Sequence, residues 1–224
     1  MVFFEKSQPA PTCLEHEKTK AKGDYKCGDV LPRLKSDFKN KCYICELKEP
    51  TSINVEHFIP HKGDKDLKFD WDNLLWSCSH CNNTKLDKYD NILNCTDAND
   101  KVEENLRYKF KPFPLEKVEI EPLDNSDKII NTKELLLAVY NGTTTPLKKL
   151  ESANLRNRLL EEIKLFQQNL IDYFNDTNDA NDKAYFLREI KRHLNTASSF
   201  TAFKRWIVRE NEGLFNEFKQ YLEP

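Results

Sequence analysis

Apolar residues recur at two distinct periods along the chain, and the change of period divides it. Val30, Leu31, Leu34 and Phe38 in "GDVLPRLKSDF" stand at helical spacing, with Asp29 as cap and Pro32 near the first turn. Residues 41–61, "KCYICELKEPTSINVEHFIPH", mix β-prone runs with turn residues and predict short strands. "WDNLLWSC" (71–78) reads as another apolar strand, and "SHCNNTKLDKY" as a helix capped by Ser77 or Ser79. Trp71, Leu74, Leu75 and Trp76 form the small core beside these elements. Residues 1–24 are polar and expected to be extended, and 62–70 read as a charged loop. The stretch 90–130 is irregular, broken by Pro112, Pro114 and Pro122, with "EKVEI" as its one strand.

Beyond residue 130 the period becomes helical. "TKELLLAVYNG" ends on an Asn-Gly stop. Leu147, Leu150, Leu155, Leu159, Ile163, Phe166, Leu170 and Phe174 mark one long amphipathic helix over 146–174. After the polar linker "NDTNDAND", helices are predicted over 182–195 and 199–210, with a short one reaching 222. No internal repeat is present. The fold class is α+β: a small β-containing unit followed by a mainly α-helical C-terminal region. The predicted divisions are 1–40, an N-terminal segment; 41–95, the chemical core; 96–130, an irregular connection; and 131–224, a helical region for partner or nucleic-acid contact.

The 224 residues are 38% hydrophobic and 32% charged, with a net charge of -2. Any nucleic-acid surface must therefore be local. No run reaches the ~20 apolar residues of a membrane span, and "MVFFEKSQPAPT" has no basic segment followed by a long apolar one. The expectation is a cytoplasmic protein without a membrane partner. Neither "GxxxxGK[ST]" nor "GxGxxG" occurs, so no nucleotide-binding motif is present.

Seven cysteines in a reducing compartment point to metal or free thiols before disulfides. Cys42-x-x-Cys45 and Cys78-x-x-Cys81 each present two thiolates from a tight turn, and four thiolates make a closed tetrahedral zinc site. A redox dithiol lacks its βαβ context and leaves the second pair unexplained. The 32 residues between the pairs hold an inserted substructure. Cys13, Cys27 and Cys95 have no partner spacing and read as small apolar residues.

The insert carries Glu56-His57 and Asn73, and Asn82 follows the last cysteine. In this order the segment 41–86 resembles the HNH endonucleases of ββα-metal fold. The resemblance implies His57 as general base, Glu56 and Asn82 as oxygen ligands of a catalytic Mg²⁺ or Mn²⁺, Asn73 as the residue holding by hydrogen bonds the loop that carries His57, and zinc as a staple outside the reaction. Phosphodiester hydrolysis suits these residue types, since a neutral imidazole accepts a proton near pH 7 and a hard divalent ion prefers oxygen. Two departures stand out: Glu56 replaces the commoner Asp, and Asn82 replaces the final His. On a regular strand Glu56 and His57 point to opposite faces, so both reach one phosphate only at a strand end or a bulge.

Nucleic-acid contact candidates are Lys85, one turn after Asn82, and secondarily His61; each has a plain alternative as a solvated or packing residue. His80, within the second knuckle, is expected to be exposed. Residues 183–209 carry a net +6, and if Phe200, Phe203, Trp206 and Ile207 take the core face, Lys204, Arg205 and Arg209 lie outside it, facing phosphate, an acidic partner or solvent. The strings "KCYICE", "VEHFIPH", "FDWDNLLWSCSHCN", "NTKELLLAVYNGTTT", "ESANLR" and "FTAFKRWIVR" extend a resemblance to the nuclease subunits of bacterial Septu-type antiphage systems, including those attached to retrons. That resemblance implies an ABC-type ATPase partner docking on the C-terminal helices. A non-catalytic zinc adaptor and a stand-alone restriction or homing-type nuclease are the alternative readings.

Overall fold

A computed structural model describes residues 1–222. Helices α1 (Thr12–Thr19) and α2 (Val30–Asp37) precede a compact unit of β1 (Ile53–His57), α3 (Lys65–Phe69), a 3-10 turn (Trp71–Asn73), β2 (Leu74–Cys78) and α4 (Ser79–Lys85). β1 and β2 pair antiparallel, from Ile53 opposite Cys78 to His57 opposite Leu74, and α4 packs on both. A second antiparallel pair, β3 (Leu106–Phe110) and β4 (Val118–Pro122), runs from Leu106 opposite Pro122 to Phe110 opposite Val118.

The helical part follows: α5 (Asp127–Asn141), α6 (Pro146–Tyr173), α7 (Ala180–Leu194), α8 (Thr201–Glu210) and α9 (Glu212–Phe218). α5 bridges the two halves by packing on α4, β4 and α6, while α8 lies between β3, α7 and α9. The long helix begins where predicted and ends one residue short of the expected 174, with Phe174 as its C-cap: Pro146 stands at its first position, where a missing N–H costs nothing, and Thr145 Oγ1 accepts from Lys148 N. One apolar core extends from Met1 and Phe4 through Leu34, Phe38, Trp71 and Leu75 to Val139, Phe200 and Phe203. A smaller one joins Phe166, Ile190, Leu194, Val208 and Phe218. No helix among the described residues is long and apolar enough to cross a membrane.

Several local expectations change. Residues 12–19 and 65–69 are helical where extended chain and loop were expected. α3 is started by Asp64, whose side chain accepts from Asp66 N and Leu67 N. β3 lies in the stretch read as irregular, because its apolar residues alternate over only five positions. α5 begins five residues before Thr132, after Ser126. At α4 the N-cap is Cys78, and neither serine caps with its side chain. Ser77 sits inside β2, and Ser79 Oγ accepts from Asn54 Nδ2 at 2.7 Å. Cys13 and Cys27 form a disulfide and so are not isolated apolar residues. Residues fourteen apart in a polar segment give no local sign of pairing; the turn between α1 and α2 brings them together.

Candidate nuclease centre and zinc knuckle

The two CxxC pairs converge. The Sγ atoms of Cys42, Cys45, Cys78 and Cys81 all lie within 4.8 Å of one another and are buried. Tetrahedral zinc with Zn–S near 2.3 Å requires S···S of about 3.8 Å, and Cys45 Sγ to Cys78 Sγ is 3.9 Å. The donor set fits structural zinc. Cys42 and Cys45 belong to the turn before β1; Cys78 ends β2 and Cys81 lies on α4, so the ion would tie the hairpin to the helix.

The knuckle is also held from the helical part. Tyr140 Oη on α5 donates to Cys45 O at 2.7 Å. His80 is only 12% exposed in its side chain, against expectation, with Nδ1 2.9 Å from Glu151 on α6 and Nε2 2.8 Å from Val139 O on α5. Lys148 Nζ donates to Thr84 Oγ1 and His80 O at 2.9 and 3.1 Å. The sequence showed α5 and α6 but could not show that they latch α4.

His57 is the last residue of β1 and is partly buried. Its Nε2 lies 3.0 Å from Lys68 O. A carbonyl only accepts, so Nε2 carries the hydrogen and Nδ1 keeps a lone pair. The ring stands edge-on to Tyr25, with centroids 4.7 Å apart, and to His61, at 4.6 Å. Burial lowers the His57 pKa below the ordinary imidazole value; the Lys68 carbonyl opposes this, and the charges of His61, Lys68 and Lys26 add to it.

Asn73 is buried. Its Oδ1 accepts from Ile59 N at 2.7 Å, and its Nδ2 donates to Ile59 O and Leu67 O, both at 2.9 Å. One side chain thereby clamps both ends of the excursion 59–67 and fixes the approach of Lys68 O to His57. The α3 turn and the Lys68 carbonyl were missed at the sequence level, since a backbone acceptor has no residue signature.

Glu56 lies on the opposite face from His57, because β1 runs regularly through both with no bulge. It is 5% exposed, and its Oε1 is 3.1 Å from Lys85 Nζ. Lys85, fully buried, also donates to Phe58 O at 2.9 Å. Glu56 Oε2 and the Tyr43 hydroxyl are both buried without a hydrogen-bond partner, and the Tyr43 pKa is raised by burial and by the Glu56 charge beside it. Burial lifts the Glu56 carboxyl to about 7, against the pull of Lys85. A hydrated divalent ion keeps several waters, and this enclosed carboxylate, already facing an ammonium, does not fit one. The structure thus separates Glu56 from the catalytic face expected for it and takes Lys85 out of contact with phosphate. Residue i+4 from Cys81 shares the buried face of α4, and a buried lysine must have a partner. Asn82 is partly buried on α4.

The C-terminal basic residues are corrected likewise. Lys204 is fully buried, with Nζ donating to Ser198 Oγ at 2.7 Å and His193 Nδ1 at 3.0 Å and lying 3.1 Å from Glu162. Arg205, 1% exposed, donates from Nε to Leu194 O at 2.9 Å and pairs with Glu103 at 2.7 Å; Arg209 reaches the same carboxylate at 2.9 Å. One-sided burial was assumed for α8, whereas β3, α7 and α9 surround it, so Lys204 and Arg205 are interior struts and Arg209, partly buried, is held by the same carboxylate as Arg205.

The family model described as HNH endonuclease matches residues 42–88. A curated relative, the Septu protein PtuB of Bacillus thuringiensis, is 43% identical over 49 residues, which are 20% of this chain and 19% of that protein. The chain thus spans about a fifth of the relative's length. With two strands, a helix, a tetrathiolate cluster and the match all on the same residues, the segment 42–88 is a domain of the HNH endonuclease family, set in a larger helical frame.

Proposed function

We propose that the protein is a nuclease that hydrolyses phosphodiester bonds, acting in a bacterial antiphage defence assembly of Septu type. The observation that carries the chemistry is the bond between His57 Nε2 and Lys68 O, which leaves Nδ1 as a base. In this reading Nδ1 takes a proton from water, the resulting hydroxide attacks phosphorus, and the leaving oxygen departs with a proton from solvent. Tyr25 and His61 both pack edge-on with the ring, and Asn73, through Leu67 O, holds the backbone next to the carbonyl that sets its tautomer. HNH nucleases use divalent ions, which supply charge neutralisation and help to the leaving oxygen. Of the ligands nominated by resemblance, Asn82 keeps an available amide oxygen, while Glu56 as placed does not fit. The Septu relative supports the defence role, and with it come two finer proposals: a cytoplasmic location and an ABC-type ATPase partner.

The deciding experiment compares wild type with His57→Ala on plasmid DNA and total RNA, in Mg²⁺ and in Mn²⁺, with zinc content measured on both. Loss of cleavage with unchanged zinc is expected. Cleavage by a contaminant-free His57→Ala preparation overturns the assignment. Burial of Glu56 favours one second reading, a zinc-stabilised adaptor that binds nucleic acid without cutting it. Binding without cleavage, with the co-expressed ATPase and nucleotide present, would establish that reading. Co-purification of the chain with its neighbouring ATPase separates the complex from a stand-alone nuclease.

A further inference from the structure

The segment 13–27 lies outside the matched domain yet forms one wall of its centre. The Cys13–Cys27 disulfide closes it at the base. α1 packs on α3, and the contacts are specific. Lys65 Nζ donates to Lys18 O and Lys20 O at 3.3 and 3.0 Å, Lys68 Nζ donates to Gly23 O at 3.0 Å, and Lys18 pairs with Asp66 at 2.7 Å. These bonds place the Tyr25 ring on His57 and bring the Lys26 charge close enough to lower the His57 pKa.

His61 also stands against the His57 ring and is followed by Lys62 in a left-handed turn (φ 46°). Lys26 and Lys62 are both exposed, and neither forms an ion pair among the described residues. The nearby carboxylates have other partners: Asp64 caps α3, Asp66 holds Lys18, Glu17 holds Lys20 and Asp24 N, and Asp24 Oδ1 accepts from the backbone N of Lys26. Each ammonium group thus sits one residue from a ring that touches the candidate base, Lys26 after Tyr25 and Lys62 after His61, and Lys26 Nζ lies 5.5 Å from the Tyr25 ring centre.

We infer that the 13–27 loop and the 61–63 turn form a nucleic-acid clamp around His57, in which Lys26 and Lys62 bind the phosphates flanking the one attacked. The inference rests on the nuclease reading above. It moves the nucleic-acid surface away from the buried C-terminal cations to an element that the sequence passed over as extended chain. Nucleic acid is favoured over an acidic protein by continuity with the base: Tyr25 and His61, the residues just before the two lysines, both touch His57.

The test uses the full chain in a His57→Ala background, so that substrate is bound and not consumed. Binding of labelled single-stranded DNA, duplex DNA and RNA of one sequence is measured by fluorescence anisotropy over a range of salt. Lys26→Ala/Lys62→Ala is compared with Lys111→Ala/Lys164→Ala, two exposed lysines distant in sequence from the site. Each lost phosphate contact lowers the slope of log K against log salt by about 0.7–0.9. The clamp pair is expected to reduce the slope by about 1.4–1.8 and to weaken binding about tenfold at low salt, with the control pair unchanged and zinc content equal in all. An unchanged slope in the clamp pair, with normal binding by the parent, overturns the clamp and leaves the nuclease reading standing. Absence of binding to all three probes overturns both.

Discussion

The Lys85 ammonium lies 3.1 Å from Glu56 Oε1, and both side chains are buried between β1 and α4. A pair so enclosed gains little over an apolar isostere but is costly to break on one side, because the remaining charge is left buried. Lys85→Met is therefore expected to lower unfolding free energy by about 3–5 kcal/mol, and Glu56→Leu/Lys85→Met to recover most of that loss. Urea denaturation of both variants decides it. Equal destabilisation by the single and double variants would show that the pair does not tie the strand to the helix.

The environment of His57 predicts the pH dependence of cleavage. Its pKa is below the ordinary imidazole value, chiefly through burial. The unprotonated, base-competent form therefore persists below pH ~6.5, and the rate declines only at more acidic pH. Lys68 contributes a carbonyl that substitution cannot remove, so the probe is Lys26→Ala, read in kcat at saturating substrate because Lys26 is also assigned to phosphate binding. Removing that charge should move the acid limb of the pH–rate profile upward.

Asn73 should behave as a positioning residue. Asn73→Ala removes the partner of Ile59 N, Ile59 O and Leu67 O, with an expected stability cost of about 1–3 kcal/mol. Cleavage should fall by about 10²-fold through kcat, with KM little changed. Hydrogen exchange at 59–68 should rise in parallel. Normal protection there, with activity lost, would place Asn73 in the reaction itself.

The tetrathiolate cluster predicts zinc in the purified protein, one ion per chain by elemental analysis. Cys81→Ser should lose it and expose the β1–β2–α4 unit to proteolysis, while α6 and α7 keep their helicity. The chelated wild type should behave in the same way, since such sites couple metal binding to folding.

His193 gives a pH prediction for stability. Burial first, and then the charges of Lys204 and Arg192, hold its pKa down to about 3. The unfolded chain takes up a proton below pH ~6.5, whereas the folded protein does not, so this contribution to stability is present above that pH and is lost progressively towards pH 3. His193→Gln keeps an acceptor for Lys204 and removes the titration. Between pH 7 and 5.5 the wild type should lose about 1 kcal/mol more than this variant in urea unfolding. Parallel losses would mean that the ring is protonated in the folded protein.

Much of this molecule was readable in the chain. The two CxxC pairs announced the zinc knuckle, because four thiolates at that spacing have few other uses. Pro146 and the Leu/Ile/Phe series marked α6 to within one residue at its end, because its helical period is long and its start chemically distinct. Asn73 was expected to bond the loop carrying His57; His57 instead ends β1, and the three bonds of Asn73 go to Ile59 and Leu67 in the excursion that follows it. What the sequence could not hold was orientation between distant elements. Strand alternation warned that Glu56 and His57 diverge, but only packing decided which of them faces the core. Lys85, Lys204 and Arg205 look like surface cations in any local window, and each is interior because a carboxylate from another element meets it. Tyr25, Lys26 and the Cys13–Cys27 closure border the centre only through the docking of α1 on α3. Local pattern determines elements and ligand sets, since those depend on neighbours in the chain; burial of a charge depends on partners brought by the fold, and the tertiary structure alone supplies them.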